Sequence, residues 1–118
     1  MKMEDRKTMR RVFELQCRIC KAMAHPMRLE IVEVLVNGEL SAASLLEFLG
    51  TSKANLSKHM NQLTAAGITS RRREGRSVLY RLTHPEIHQA CKIMRSILYR
   101  QLRDGRALAA AMDSTRRR

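Results

Sequence analysis

The sequence has few aromatic residues, no tryptophan and no long apolar run. Its 118 residues include only two Phe and two Tyr, too few and too scattered to form a platform on which single-stranded bases stack. No run approaches the roughly 18 apolar residues of a membrane span, and the opening MKMEDRKTMRR lacks the apolar segment of a signal peptide. We therefore predict a protein of the cytoplasm with no membrane partner.

Acidic residues and catalytic motifs are also scarce. The 11 Asp and Glu stand against 23 Lys and Arg, so the formal net charge is +12 and a polyanion is the expected partner. We find no paired carboxylates, no glycine-rich phosphate loop and no Ser/His/Asp set, and we predict no enzymatic activity. Hydrophobic residues make up 44% of the chain, which is enough for a folded core. Double-stranded DNA is the expected ligand.

The chain also lacks internal repeats and any linker rich in Gly, Ser or Pro, so its length favours a single domain. We predict that this domain occupies residues 9–112. Residues 1–8 are predicted to be a flexible basic N-terminus, and residues 113–118, which end in three arginines, a basic C-terminal tail.

Apolar spacing and breaker residues predict a mainly α-helical fold with one small β-hairpin. Helices are predicted over about 9–24, from Pro26 to about Val36, over about 41–49 and from about 51 to 66, followed by a hairpin within ITSRRREGRSVLYRL and a last helix of about 20 to 27 residues that begins at Pro85. Gly50 breaks the chain between the third and fourth helices, which together predict a helix-turn-helix.

The fourth helix carries a broad polar face. In TSKANLSKHMNQL, Leu56, Met60 and Leu63 form one narrow apolar stripe. The residues predicted to contact bases or phosphates are Ser52, Lys53, Ala54, Asn55, Ser57, Lys58, His59 and Gln62. His59 lies nearest the apolar stripe, where a helix-packing hydrogen bond is an equal alternative. The simplest alternative for the whole face is an ordinary solvated helix surface.

The predicted hairpin contains the densest positive charge in the chain. Its arginines 71, 72, 73, 76 and 81 stand against Glu74 alone, a net charge of +4. Such a hairpin can bind phosphates or insert into the minor groove of DNA. The alternative is that these charges only form a solvated surface, as many charge runs do. Because this one follows the helix-turn-helix, we predict that Arg71, Arg72, Arg73 and Arg76 contact DNA.

These segments resemble the ArsR/SmtB family of winged helix-turn-helix transcriptional regulators. The resemblance covers about residues 15–102 and rests on AHPMRLEIVEVL, LLEFLGTSKANLSKHMNQLTAAGI and RRREGRSVLYRL. It implies a homodimer whose first and last helices pack across the twofold axis, and most members are repressors released from DNA by a metal, a metalloid or a thiol oxidant. Ile87, Cys91, Met94 and Leu98 on the last helix are the candidate dimer-interface residues, and the operator is expected to be an inverted repeat.

Two metal sites of that family are incomplete in this sequence. ELSAASL has Ser41 and Ala43 where one site has cysteines. Glu86 and His88 resemble half of another site, but its remaining histidines are replaced by Tyr99 and Leu102. A solvated helix start is therefore the favoured interpretation of Glu86 and His88.

The three cysteines are the remaining candidates for a sensing site. Cys17 and Cys20 share a side of the first helix, and Cys91 lies on the apolar stripe of the last helix. Three thiolates would suit As(III) or another thiophilic metal ion, two thiols would suit a redox switch without a metal, and all three residues can equally be small core residues.

Together these features predict a repressor that binds a specific DNA site and is released by a thiol-directed effector at Cys17, Cys20 and Cys91. The alternative is an architectural DNA-binding dimer without an effector. The two differ in their ratio of specific to non-specific affinity.

Overall fold

The computed structural model describes residues 2–116, apart from the side chains of residues 107–109, 115 and 116. Within this range the helices are α1 (Met3–Met23), α2 (Pro26–Leu35), α3 (Ala42–Leu49), α4 (Lys53–Ala65), α5 (Glu86–Asp104) and α6 (Arg106–Arg116), and the strands are β1 (Leu40–Ser41), β2 (Thr69–Glu74) and β3 (Ser77–Leu82). The chain divides into one compact unit that ends at Pro85 and another that begins at Glu86.

The predicted winged helix-turn-helix is confirmed. Helices α3 and α4 form the helix-turn-helix, and β2 and β3 form an antiparallel hairpin, the wing. The structure adds β1, which pairs with the outer edge of β3 through Leu40 and Tyr80, so the sheet order is β1-β3-β2. A strand of two residues is too short for alternating hydrophobicity to reveal it.

Three of the helices have a side chain that caps their N-terminus. The Nδ1 atom of His25 accepts a hydrogen bond from the Met27 amide at 3.1 Å, immediately before Pro26 opens α2. The Ser41 hydroxyl accepts from the Ser44 amide at 3.0 Å, and the Ser52 hydroxyl accepts from the Asn55 amide at 3.1 Å. Each cap satisfies a backbone donor that has no partner within its helix, so these residues define where the helices begin.

The core of the first unit is made by α2, α3 and α4 packed against the sheet. Its fully buried side chains are Ile31, Val32 and Leu35 of α2, Leu45 of α3, and Met60 and Leu63 of α4, with Leu56, Ile68, Tyr80 and Leu82 nearly as deep. The stripe predicted for α4 is therefore its buried face. This packing directs the opposite, polar face of α4 outward.

Two predicted boundaries differ from the observed ones. Helix α1 begins at Met3 and includes most of the predicted flexible N-terminus, because Glu4 and Asp5 suit the positive end of the helix dipole. The predicted last helix is divided at Gly105 into α5 and α6, because glycine in a helix interior costs about 1 kcal/mol relative to alanine. Of the predicted basic tail, Arg117 and Arg118 lie outside the described residues.

None of the helices among residues 2–116 is both long enough and apolar enough to cross a membrane.

Candidate DNA-binding surface

Helix α4 and its cap Ser52 present most of the predicted base-contacting face to solvent. The exposed members of the predicted set are Ser52, Lys53, Ala54, Ser57, Lys58 and Gln62. Asn55 is half-buried, and its Nδ2 atom donates a hydrogen bond to the Thr51 hydroxyl at 2.8 Å. This bond uses one of the two Nδ2 hydrogens, so the other hydrogen and the carbonyl oxygen of Asn55 are left for a contact with a base.

His59, the remaining predicted contact on α4, is buried, and its surroundings favour the alternative of a packing hydrogen bond. The side chain is only 3% exposed, and its Nδ1 atom accepts a hydrogen bond from Nε of Arg28 at 3.1 Å. Its ring lies 4.3 Å from that of His25, centroid to centroid. Burial, followed by the nearby His25, Arg28 and Lys58, lowers the pKa of His59 below its ordinary value. His59 thus makes the helix-packing hydrogen bond that was the alternative.

Arg28 joins three elements around this histidine. Besides donating to His59 of α4, its Nη1 atom donates to the Ala22 carbonyl near the end of α1 at 3.2 Å. One side chain of α2 therefore fixes both α1 and α4. Sequence reasoning missed Arg28, because its partner on α4 is 31 positions away and spacing along the chain does not reveal such a contact.

The wing places its arginines on two sides of the sheet. Arg71 and Arg73 pair with Tyr80 and Val78 of β3, and Arg72 pairs with Leu79. Since successive strand residues point to opposite faces, Arg71 and Arg73 share the side of buried Tyr80, while Arg72 points to the other side. All three arginines are exposed.

The tip of the wing is a two-residue turn that projects a further arginine. Glu74 pairs with Ser77, so Gly75 and Arg76 form the turn. Gly75 has φ of 62°, the positive φ that a type II′ hairpin turn requires at its first central residue. Arg76 is exposed and is thus held at the end of the hairpin.

Arg72 is bound within the protein. Its Nη2 and Nε atoms donate to the two carboxylate oxygens of Glu39 at 2.7 and 2.9 Å, and Nη2 is also 3.2 Å from a carboxylate oxygen of Glu74. The hydrogen bonds from Arg72 lower the pKa of Glu39, and Glu39 in turn raises the pKa of Arg72. Glu39 was not identified from the sequence, because it lies 33 positions from Arg72.

The start of α3, the start of α4 and the tip of the wing meet at one open cleft of about 320 Å³. Its lining includes Lys53 and Ser57 of α4 and Arg76 of the wing. Two cationic side chains and a hydroxyl on the wall of an open cleft suit the phosphate backbone of DNA. The fold therefore brings together predicted contacts that lie about 20 residues apart.

The cysteines lie on exposed or half-exposed helix faces. Cys17 and Cys20 of α1 are exposed, and Cys91 of α5 is half-buried. Within residues 2–116 of a single chain, no three His, Cys, Asp or Glu side chains are grouped closely enough to hold a metal ion. A metal site that uses these thiols would therefore need ligands from a second subunit or from a different arrangement of the chain.

The predicted dimer-interface residues lie on α5, whose side chains are exposed or half-buried. Ile87 and Cys91 are half-buried, Met94 is 67% exposed and Leu98 is 47% exposed. Apolar side chains repeated along one helix at this exposure favour contact with another protein surface.

Comparison with known proteins relates the chain to DNA-binding regulators. Residues 23–72 match a family described as a helix-turn-helix domain. An HTH-type transcriptional regulator of Mycobacterium tuberculosis, Rv0081, is 33% identical over 94 residues, which are 79% of this chain and 82% of the relative. The crystal structure of Rv0081 superimposes with a TM-score of 0.70 over 79% of this chain and 94% of that one.

One further match agrees in sequence and another in fold. A biofilm growth-associated repressor of Xylella fastidiosa is 32% identical over 83 residues, or 70% of this chain and 73% of the relative. A homodimeric winged helix-turn-helix domain of Mycobacterium bovis, described as a possible ArsR-family transcriptional regulator, shares the fold with a TM-score of 0.70 at 24% identity. That match covers 83% of this chain and 89% of the other.

Proposed function

Because this chain belongs to the ArsR/SmtB family of winged helix-turn-helix transcriptional regulators, we propose that it is a homodimeric repressor of an inverted-repeat operator. Proteins of this kind bind DNA and regulate transcription, and they are not enzymes. In the proposed complex the N-terminal half of α4 enters the major groove and the wing contacts the adjacent backbone. The two half-sites would lie about 34 to 36 Å apart, or a multiple of that distance.

The observation that carries this proposal is the cleft shared by α3, α4 and the wing. Lys53, Ser57 and Arg76 line it, next to the exposed short side chains of Ser52 and Ala54. Short side chains allow a helix to approach base edges closely, while the cations bind phosphates. A merely solvated helix would not require the charged hairpin tip at the same place.

Homodimerisation is supported by apolar residues that the single chain leaves exposed on α1 and on α5. Phe13 and Ile19 of α1 are 54% and 39% exposed, and Met94 and Leu98 of α5 are 67% and 47% exposed. A second copy of the chain would cover such faces. The M. bovis domain with this fold is itself a homodimer.

The DNA-binding proposal is tested by selecting sites from a random duplex library and then comparing two variants. Ser57→Ala should change the preference at one or two base pairs, at a cost of about 1 to 3 kcal/mol per lost base contact. Arg76→Ala should weaken binding to all sequences alike and reduce the salt slope by about one.

The result that would reverse these assignments is a changed base preference in Arg76→Ala together with an unchanged one in Ser57→Ala. An architectural protein, the second candidate function, would select no sequence. A regulator should prefer its site over random DNA by at least about a thousandfold.

We further propose that a thiol-directed effector releases the protein from DNA by acting on Cys17, Cys20 and Cys91. Cys17 and Cys20 are exposed in the single chain, and their spacing of three places both thiols on one side of α1. The effector is either a soft ion such as As(III), bound by thiolates, or an oxidant that removes two electrons and two protons from a pair of thiols to form a disulfide.

This effector proposal is tested by titrating the DNA complex with As(III), Cd(II), Zn(II), hydrogen peroxide and polysulfide. Wild type is compared with Cys91→Ser and with the double variant Cys17→Ser/Cys20→Ser. Release of wild type but of neither variant would support a site that needs both groups of thiols, and the active reagent would identify its chemistry. Normal release of both variants, or no release of wild type by any reagent, would overturn the proposal.

A further inference from the structure

The ion pair between Glu39 and Arg72 connects the two outer strands of the sheet. Arg72 on β2 and Ser41 on β1 both pair with Leu79 of the central strand β3. Glu39 lies two residues before Ser41 and therefore on the same side of the sheet. The Arg72 side chain thus crosses β3 to reach the chain that precedes β1, and its Nε and Nη2 atoms bind the Glu39 carboxylate there.

The geometry of this pair restrains the wing. Two parallel hydrogen bonds of 2.7 and 2.9 Å fix both the distance and the orientation of the guanidinium, unlike a single point contact. Glu39 adjoins β1, which leads directly into α3 of the helix-turn-helix. The ion pair therefore links the angle of the wing to the body that carries α4.

The same contacts leave Arg72 poorly suited to bind phosphate. Its charge is already opposed by Glu39 and Glu74, and its guanidinium would have to leave Glu39 before Nε and Nη2 could bind a phosphate. Arg71, Arg73 and Arg76 are exposed, and none of them forms an ion pair with an acidic side chain among residues 2–116. These three are the better candidates for phosphate contacts.

Building on the proposed DNA-binding function, we propose that Glu39 and Arg72 form a latch that positions the wing for DNA. In this role Arg72 is a positioning residue, and Glu39 favours DNA binding despite its negative charge. Removing Glu39 should therefore weaken DNA binding. Simple electrostatics predicts the opposite, because removing an acid from a DNA-binding protein strengthens its affinity for DNA.

The test compares removal of two acids from the full-length protein. Affinity for a short random-sequence duplex is measured at fixed salt for wild type, Glu39→Ala and Glu47→Ala. Both variants lose one negative charge, and Glu47 is an exposed residue of α3. We expect Glu39→Ala to weaken binding about two- to fivefold, the scale of one exposed ion pair, while Glu47→Ala binds as well as wild type or better.

A second comparison separates positioning from direct contact. Arg72→Lys keeps the positive charge but loses the two-branched hydrogen bonding, so it should weaken binding as much as Glu39→Ala does, whereas Arg76→Lys should keep its affinity. Backbone amides of residues 71–78 should also exchange hydrogen faster in Glu39→Ala than in Glu47→Ala. Circular dichroism shows whether each variant is folded, and Glu39→Gln, which retains one acceptor oxygen, replaces Glu39→Ala if the latter fails to fold.

The latch is overturned if Glu39→Ala binds as tightly as Glu47→Ala, or if Arg72→Lys binds as tightly as wild type. Either outcome would contradict the latch without contradicting the proposed DNA-binding function. Wild type that binds no duplex, or that selects no site from a library, contradicts the regulator proposal, whereas the latch comparison needs only measurable binding to random DNA.

Discussion

At the scale of single residues, His59 shows how a histidine of the helix-turn-helix is used for packing. It is buried on α4 and accepts a hydrogen bond from Arg28, with the ring of His25 beside it. Arg28 and Lys58 are the other charged groups acting on it. A proton on His59 would remove the acceptor of Arg28 and place a positive charge next to that guanidinium, so the folded state favours the neutral ring.

This arrangement predicts that stability decreases in mildly acidic solution. The pKa of His59 is lower in the folded protein than the ordinary value of about 6.5. Between these two values the unfolded chain binds more protons, so the stabilisation is complete above about pH 6.5 and is lost as the pH falls below it. Urea unfolding at several pH values should show a shallower pH dependence in His59→Gln than in wild type.

The matched control is His84→Gln, since His84 is exposed. That variant should keep the pH dependence of wild type. Equal pH dependence in His59→Gln and wild type would contradict the role assigned to the buried ring.

At the scale of elements, the turn between α3 and α4 determines where α4 begins. Gly50 ends α3 in the left-handed region with φ of 63°, and its amide donates to the Leu46 carbonyl at 2.9 Å. Ser52 then caps α4 two residues later. Only glycine adopts this conformation without steric cost, so the tight connection depends on residue 50.

Gly50→Ala should therefore destabilise the protein by about 1 kcal/mol. The cause would be backbone conformation alone, because an added Cβ would meet no atom within 4 Å. Gly50→Asn should cost less, since asparagine tolerates the left-handed region better than alanine. Denaturant unfolding of the two variants checks this order, and an alanine variant as stable as the asparagine variant would contradict it.

At the scale of the whole molecule, the single chain leaves two helices with exposed apolar faces. Val12, Phe13 and Leu15 of α1 are all more than two-fifths exposed. Among the described residues of α5, Glu86–Asp104, none is buried. Helices of this kind gain most of their stability from packing, which agrees with the proposed homodimer.

Leu98→Glu should consequently weaken dimerisation by about a hundredfold, because a carboxylate without a partner in an apolar interface costs about 3 kcal/mol. Ser96→Glu is the control, since it adds the same charge to the polar side of α5, about 160° around the helix. Sedimentation velocity over a concentration series measures both variants. If Leu98→Glu and Ser96→Glu dimerise equally well, the α5 stripe is not the interface.

Much of the local structure could be predicted because its causes are close together in the sequence. The apolar stripe of Leu56, Met60 and Leu63, the glycine between α3 and α4, and the hairpin at Gly75 all depend on neighbouring residues. The assignments of α4 and the wing to DNA contact and of the cysteines to sensing remain predictions. They concern ligands, and a pattern of spacing specifies only which side chains share a face.

The sequence by itself determined the charge, the order of α1 to α4 and the wing hairpin, and the polar face of α4, because each follows from composition or from contacts within a few residues. Only the tertiary structure decided the state of individual polar groups. It buried His59 under Arg28 and bound Arg72 to Glu39, across 31 and 33 positions of chain. Such bonds require helices and strands to pack at particular distances. From the sequence alone, a polar side chain at the edge of an apolar stripe or on a strand is equally suited to bind protein or DNA, and only the packing decides between them.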